Sequence, residues 1–249
     1  MITLPHGESN VTLACQNRCV SCNHFVAAQR PWMADPAVIA RDLEMAAKVM
    51  HFRVYNMVGG EPSLHPQVVE IARLIRASGI CDRVEMTSNG QSCERWDDNL
   101  YAALDDLIVT PYKLTDAQRS LIIDKCAEYG VALQWHPVIF TYAGYKQADR
   151  ARGEALYRHC WYKRNRNVID AGYFYRCCIG RFIPELLQGR EQTYGALPLE
   201  GLTEQRLRAY LDEPTAPEMC DVCGSNCAPA LPWREERDPA KWMEASLYG

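Results

Sequence analysis

The sequence predicts an α/β protein, a parallel sheet covered by helices and open or closed into a barrel, with a cysteine-rich segment after it. Three observations carry that expectation. Short apolar, β-branched runs alternate with helical stretches from residue 10 to about 140, and strands buried on both faces read as unbroken apolar runs of this kind. Residues of special chemistry or conformation follow those runs directly, at Cys15, Gly59, Ser88 and Pro111. Beyond residue 140 the alternation stops, and Cys160, Cys177, Cys178, Cys220, Cys223 and Cys227 gather there.

Each element has its own signal. A first strand is expected at Val11 to Ala14, before the first cysteines. Residues 35–50 read as a helix, with Asp35 as N-cap, Pro36 at the first helical position, and Ile39, Leu43, Ala46 and Met50 on one face. Phe52 to Val58 is a strand that ends in Gly59-Gly60-Glu61-Pro62. Pro66 opens a second helix with a stripe of Val68, Ile71, Ala72 and Ile75, stopped at Gly79. The unit repeats at Val84 to Thr87, which runs into Ser88-Asn89-Gly90, then through a helix near 95–104. Leu107 to Thr110 leads to Pro111-Tyr112-Lys113. Thr115-x-x-Gln118 is a capping box opening a helix through Tyr129, and Val131 to Phe140 is the next strand. Residues 141–152 show no clear period. Asp170-Ala171-Gly172 between two β-prone runs reads as a hairpin turn, and residues 204–212 read as a helix ahead of a Pro/Trp-rich tail. The carboxyl ends of parallel strands carry the active sites of such folds, so the motifs are expected on one rim.

Composition sets bounds. The 249 residues are 48% hydrophobic and 23% charged, an ordinary globular balance. A net charge of −4 argues against nucleic acid or an anionic membrane as the main partner. Residues 1–8 lack the basic and apolar regions of a signal peptide, and no run approaches the roughly 18 apolar residues that span a bilayer. A cytoplasmic protein is therefore expected. In a reducing compartment its 12 cysteines point to metal or redox chemistry rather than disulfides.

The stretch Cys15-x3-Cys19-x2-Cys22 is the focus. Three thiolates so close together can hold three irons of a four-iron cluster and leave the fourth iron open. A zinc site of the three cysteines with His24, buried unligated cysteines, and a disulfide framework remain the alternatives on spacing alone. The spacing resembles the signature of the radical S-adenosylmethionine (SAM) superfamily. Gly59-Gly60-Glu61-Pro62 is similar to that family's GGE motif, and Ser88-Asn89-Gly90 resembles its ribose-contacting segment. The resemblance implies a partial (β/α)6 TIM-like barrel, with a [4Fe–4S] cluster on Cys15, Cys19 and Cys22 and SAM chelating the open iron. The reduced cluster then releases a 5′-deoxyadenosyl radical. Gly59, Gly60, Glu61, Ser88 and Asn89 become SAM-site residues. The family's aromatic residue before the third cysteine is here Ser21, so Phe25 or His24 is expected to take its place beside the adenine.

The C-terminal cysteines carry a second resemblance. Cys160-x11-Gly172-x4-Cys177 is similar to the first half of the auxiliary-cluster signature of the SPASM/Twitch branch, and Cys220-x2-Cys223-x3-Cys227 resembles a shortened second half. This implies a small auxiliary iron–sulfur domain at 151–249 after a radical SAM barrel at 1–150, with one further [4Fe–4S] cluster on Cys160, Cys177, Cys220 and Cys223. A structural zinc on four cysteines is the competing reading. Cys81, Cys93 and Cys126 read as small buried hydrophobes. Cys178 and Cys227 either replace one of those ligands or stand as free thiols near the substrate.

The resulting expectation is an oxidoreductase that takes a hydrogen atom from a small molecule, a carbohydrate, aminocyclitol or other secondary metabolite. Dehydrogenation with the auxiliary cluster as electron acceptor comes first. Epimerisation with Cys178 or Cys227 as hydrogen donor is the alternative, peptide modification a third, and a non-enzymatic iron–sulfur or zinc protein the competing class. A flavodoxin or ferredoxin reductase is the implied partner. With the cluster loop at residue 15, no precursor-binding domain is expected before the barrel. His65, Glu85, Tyr112, His136 and Arg152 lie in or near the strands and the polar segment after them, each read as structural or solvated.

Overall fold

A computed structural model describes residues 1–140, 146–224 and 231–248. In chain order the elements are β1 (Ile2–Thr12), α1 (Pro36–Ala46), β2 (Met50–Gly59), α2 (Val68–Ala77), β3 (Cys81–Ser88), α3 (Asp98–Ala103), β4 (Asp106–Val109), α4 (Asp116–Tyr129), β5 (Ala132–Trp135) and β6 (Ile139–Phe140). The second half adds α5 (Arg150–His159), α6 (Tyr162–Asn165), β7 (Asn167–Asp170), β8 (Tyr173–Tyr175), α7 (Ile183–Gln188), β9 (Leu197–Pro198), α8 (Glu204–Asp212), α9 (Met219–Val222), β10 (Leu231–Pro232) and α10 (Pro239–Tyr248).

One sheet runs in the order β5-β4-β3-β2-β1-β7-β8-β9. Strands β1 to β5 and β7 are parallel, and β8 and β9 turn antiparallel. This is the expected α/β architecture, a TIM-like sheet left open. Its sixth parallel strand is added beside β1 rather than beyond β5. Helix α1 starts as the sequence says: Asp35 Oδ1 accepts from the Ala37 N–H at 2.8 Å, with Pro36 in the first turn. The Thr115–Gln118 capping box opens α4. Ile39, Leu43, Ile71, Ile75 and Ile122 lock the helices onto β2 and β3 in one buried cluster. Each such side chain contributes about 1.5–3 kcal/mol. Cys93 and Cys126 are buried and Cys81 packs against the same cluster, as small hydrophobes do.

Several boundaries move. β1 is eleven residues long and pairs with β2 from Ile2↔Met50 to Thr12↔Gly59. Its polar Glu8, Ser9 and Asn10 are all buried, so the apolar-run signal does not reveal it. Met50 belongs to β2 and not to the face of α1. Pro66 lies ahead of α2, whose first residue is Val68. The expected strand 131–140 breaks at His136-Pro137 into β5 and β6, and β6 pairs antiparallel with β10. The segment without a period contributes α5 from Arg150 onward. The hairpin is where the sequence puts it, with Ala171 and Gly172 both at positive φ (50° and 84°) between β7 and β8. A two-residue connection of this hand suits the strand twist.

Candidate active site at the carboxyl ends of the strands

The carboxyl ends of five successive parallel strands meet at one cavity of about 490 Å³. Cys15, Cys19 and Cys22 follow β1, Gly59 and Gly60 end β2, Ser88 and Asn89 end β3, Tyr112 follows β4, and His136 follows β5. The expected convergence of the motifs on one rim is therefore present.

The two glycines have a tighter duty than approach to a ligand. A Cβ on Gly59 would stand 2.1 Å from the Thr12 carbonyl oxygen, and one on Gly60 would stand 2.2 Å from that of Ala14. The Gly60 N–H donates to Thr12 O at 2.6 Å and the Glu61 N–H to Ala14 O at 2.7 Å. The end of β2 thus clamps the backbone that enters the cysteine loop. Glu61 is buried, and its carboxylate bridges strand ends. Oε2 accepts from the Asn89 N–H at 2.7 Å, and Oε1 accepts from the hydroxyls of Ser88 (2.7 Å) and Ser63 (2.6 Å). Burial pushes its carboxyl up and these bonds pull it back. Asn89 in turn reaches the loop, donating to Gln16 Oε1 at 3.0 Å, with Cys15 Sγ at 3.8 Å.

The loop is held from its other side by a segment the sequence does not single out. The Trp233 indole donates to Cys19 Sγ at 3.1 Å, and the Trp242 indole to the Cys19 carbonyl at 2.7 Å. Phe25 is fully buried, 5.9 Å from Trp242 and 6.1 Å from Phe182 between ring centroids, in the core beneath the loop. Ser21 and His24 line the cavity. Burial lowers the pKa of His24 to about 4, with Arg166 adding to the effect, so its ring is neutral.

The cysteine triad fits a four-iron cluster by the chemistry of its donors. Burial pushes Cys15 up to about 12 and raises Cys19 and Cys22 as well. Metal ions reverse that, because a coordinating thiol is deprotonated outright. Among the described residues no three His, Cys, Asp or Glu side chains converge as a single metal ion requires.

The floor of the cavity is charged. Glu8 of β1 is 2% exposed; its Oε1 accepts no hydrogen bond of full geometry among the described residues, and the Cys178 thiol lies beside its carboxylate. Arg166 Nη1 lies 3.8 Å from Glu8 Oε2 and 2.8 Å from His6 Nε2, which is 3.1 Å from Glu85 Oε1. Burial pushes the Glu8 carboxyl up against the pull of Arg166. Cys178 lines the same cavity beside Glu8, and Asn23 Nδ2 lies 3.8 Å from its sulfur. Burial raises the thiol of its neighbour Cys177, with Cys178, Cys160, Cys220 and Cys223 adding to the effect. Cys160, Cys177, Cys220 and Cys223 come from the end of α5, the turn after β8, and α9. Helices α5 and α9 are laced together by Asp149 N–H to Asp221 O at 3.0 Å and Arg152 to Asp221 O at 2.6 Å. Cys227 lies outside the described residues.

Tyr112 and His136, expected to be structural or solvated, both line the cavity. Glu85 reaches it only through His6, His65 bonds the Ala34 carbonyl, and Arg152 serves α9. Glu8, Asn23, Trp161, Tyr162 and Arg166 were missed. Glu8 had no local signal, because the polar run Glu8-Ser9-Asn10 hides the buried strand that carries it. The others are brought in by long-range packing.

No family model matches the chain. A GTP 3′,8-cyclase of Chlorobaculum tepidum is 33% identical over 101 residues, 41% of this chain. The match spans about a third of that protein's length (30%). The crystal structure of BtrN in complex with AdoMet and 2-DOIA superimposes with a TM-score of 0.53 at 13% identity, over 95% of this chain and 97% of that one. Streptococcus suis SuiB bound to S-adenosylmethionine aligns over 85% of this chain and 66% of its own, at 12% identity and a TM-score of 0.47. The fold is that of BtrN, an open TIM-like sheet. No described helix is long and apolar enough to cross a membrane.

Proposed function

We propose that this chain is a radical SAM oxidoreductase that dehydrogenates a polar small molecule such as a carbohydrate or aminocyclitol. The observation that carries this is the single cavity shared by the three loop cysteines, the strand ends and the charged floor at Glu8 and Arg166. Cys15, Cys19 and Cys22 would hold the cluster, with SAM against Gly59, Gly60, Ser88 and Asn89. When bound, cluster and SAM supply the radical that removes a hydrogen atom from an unactivated C–H bond. The chain's own residues orient the substrate and exclude water. Glu8 Oε1 is placed to accept a hydrogen bond, and then a proton, from a substrate hydroxyl. Glu61 acts as a positioning residue through Asn89 and Ser88.

Cys160, Cys177, Cys220 and Cys223 would hold an auxiliary [4Fe–4S] cluster that takes the second electron. That reading goes with a barrel at 1–150, a Twitch-like domain at 151–249 and a flavodoxin or ferredoxin as donor. BtrN, with the fold described above, was solved with AdoMet and 2-DOIA, which favours a small molecule over a peptide. Epimerisation is the second reading, favoured by Cys178 on the wall of the same cavity.

The test is anaerobic. The protein is reconstituted with iron and sulfide, reduced and given SAM, and 5′-deoxyadenosine is assayed. Formation by the wild type and its loss in Cys19→Ala establishes the class. Iron loading without SAM cleavage over hours refutes it and favours an inert metal protein. Once a substrate is found, turnover in deuterated water separates the two reactions. Label at the reacting carbon marks a thiol donor, and an unlabelled product lighter by two hydrogens marks dehydrogenation.

A further inference from the structure

We propose that the Trp233 indole tunes the cluster held by Cys15, Cys19 and Cys22, its N–H bond to the Cys19 sulfur raising the potential at which that cluster accepts an electron. The inference rests on the radical SAM reading and goes beyond it. Cys15 takes its donors from the loop and the neighbouring strand end, the Asn17 N–H at 3.4 Å and Asn89 Nδ2 at 3.8 Å. Cys22 takes backbone N–H donors from residues just after it. Cys19 differs: its donor is a side chain 214 residues away, at 3.1 Å.

The indole is held so that it keeps that aim. Its ring lies 5.1 Å from that of Tyr112, with Lys113 Nζ 5.2 Å from its centroid. Lys113 pairs with Glu235, whose other oxygen accepts from the Arg18 N–H at 3.0 Å. The backbone is zipped to the loop on both sides of Cys19, Val20 N–H to Arg234 O and Glu236 N–H to Arg18 O, each at 3.0 Å. Trp233 therefore sits on a backbone fixed to the loop, and its ring cannot turn away without leaving Tyr112 and Lys113, which follow β4.

The electrostatic consequence has a fixed sign. Reduction adds one electron from a flavodoxin- or ferredoxin-class donor to the cluster and breaks no bond in Trp233, whose proton stays on nitrogen. The added charge spreads onto the thiolate sulfurs, so an N–H aimed at one of them stabilises the reduced form more than the oxidised form. A buried, low-dielectric setting strengthens the effect.

The experiment is a redox titration of the reconstituted protein, followed by the electron paramagnetic resonance signal of the reduced cluster. It compares wild type, Trp233→Phe and Trp242→Phe. Trp233→Phe keeps an aromatic ring against Tyr112 and loses the donor. Trp242→Phe loses a bond to the Cys19 carbonyl but none to the sulfur. The expected result is a more negative midpoint in Trp233→Phe alone, with slower 5′-deoxyadenosine formation from flavodoxin and a much smaller loss with a stronger chemical reductant. An unchanged midpoint in Trp233→Phe overturns the proposal, and so does an equal fall in both variants, which would mark loop packing. If Trp233→Phe does not load a cluster, wild type carrying 15N-indole tryptophan decides. A 15N coupling to the reduced cluster supports the bond, and its absence overturns it. Failure of the wild type to assemble any cluster sinks the radical SAM reading itself.

Discussion

Glu61 is a carboxylate surrounded by donors and shut away from water at the rim. An ionised carboxylate only accepts, which suits the Ser63, Ser88 and Asn89 groups aimed at it. In Glu61→Gln one acceptor oxygen becomes an NH2 facing donors. A buried donor left unpaired costs about 1–3 kcal/mol. Glu61→Gln is accordingly expected to lose stability by that amount in a urea titration with slope unchanged. It also frees Asn89 from Glu61, so weaker SAM binding at equilibrium should accompany the loss. A variant with wild-type SAM affinity and reduced stability would leave Glu61 a purely structural residue. The floor residue Glu8 behaves differently. One of its oxygens accepts no hydrogen bond of full geometry among the described residues, so Glu8→Gln removes charge without stranding a neighbour bonded to that oxygen. We expect it to fold and to cleave SAM, and to lose at least about tenfold in substrate turnover. Loss of SAM cleavage itself would contradict the role given to Glu8.

At the level of elements, the legible parts were those with local signals. The Asp35-Pro36 start of α1, the Thr115–Gln118 box and the Ala171-Gly172 turn each rest on chemistry within four residues, and each is present. The cysteine triad and the glycine pair were legible for the same reason. β1 was legible only at its end, because its buried Glu8, Ser9 and Asn10 are satisfied or held by partners far away: Ser9 by Tyr55 and Ile169, Asn10 by Asp170. α5 was half hidden because its packing depends on α9, with Gly153 against Asp221. Two substitutions separate local from long-range design. Thr115→Ala should cost about 1 kcal/mol, the usual worth of such a cap, with iron loading untouched. Gly60→Ala puts a methyl 2.2 Å from the Ala14 carbonyl. It should cost more than the cap variant and displace the cysteine loop, so that iron loading falls along with the thermal midpoint. Normal loading in Gly60→Ala would mean that the clamp of β2 on the loop is not needed to form the site.

Across the whole molecule, the adjacent residues Cys177 and Cys178 would serve the two different sites proposed above. The chain leaves the hairpin of β7 and β8 through Cys177, whose thiol is buried and feels Cys178, Cys160, Cys220 and Cys223, and puts the next residue on the wall of the cavity below the loop. That placement exists because β7 pairs with β1, at Gly7↔Asn167 and Glu8↔Val168, which brings the second half of the chain against the first strand. No local pattern in the sequence encodes that pairing, and so the sequence left Cys178 without a fixed place. Single alanine variants of the pair divide the roles. With the two clusters proposed above, Cys177→Ala should lose roughly half of the bound iron while still cleaving SAM, since the loop cysteines are untouched. Cys178→Ala should keep full iron and full SAM cleavage. Its effect on the product then decides the reaction. Unchanged turnover fits dehydrogenation, in which no thiol hydrogen is needed. SAM cleavage that continues while product formation stops fits epimerisation, in which the Cys178 thiol supplies the returning hydrogen. Equal iron in wild type and Cys177→Ala would remove Cys177 from the auxiliary set.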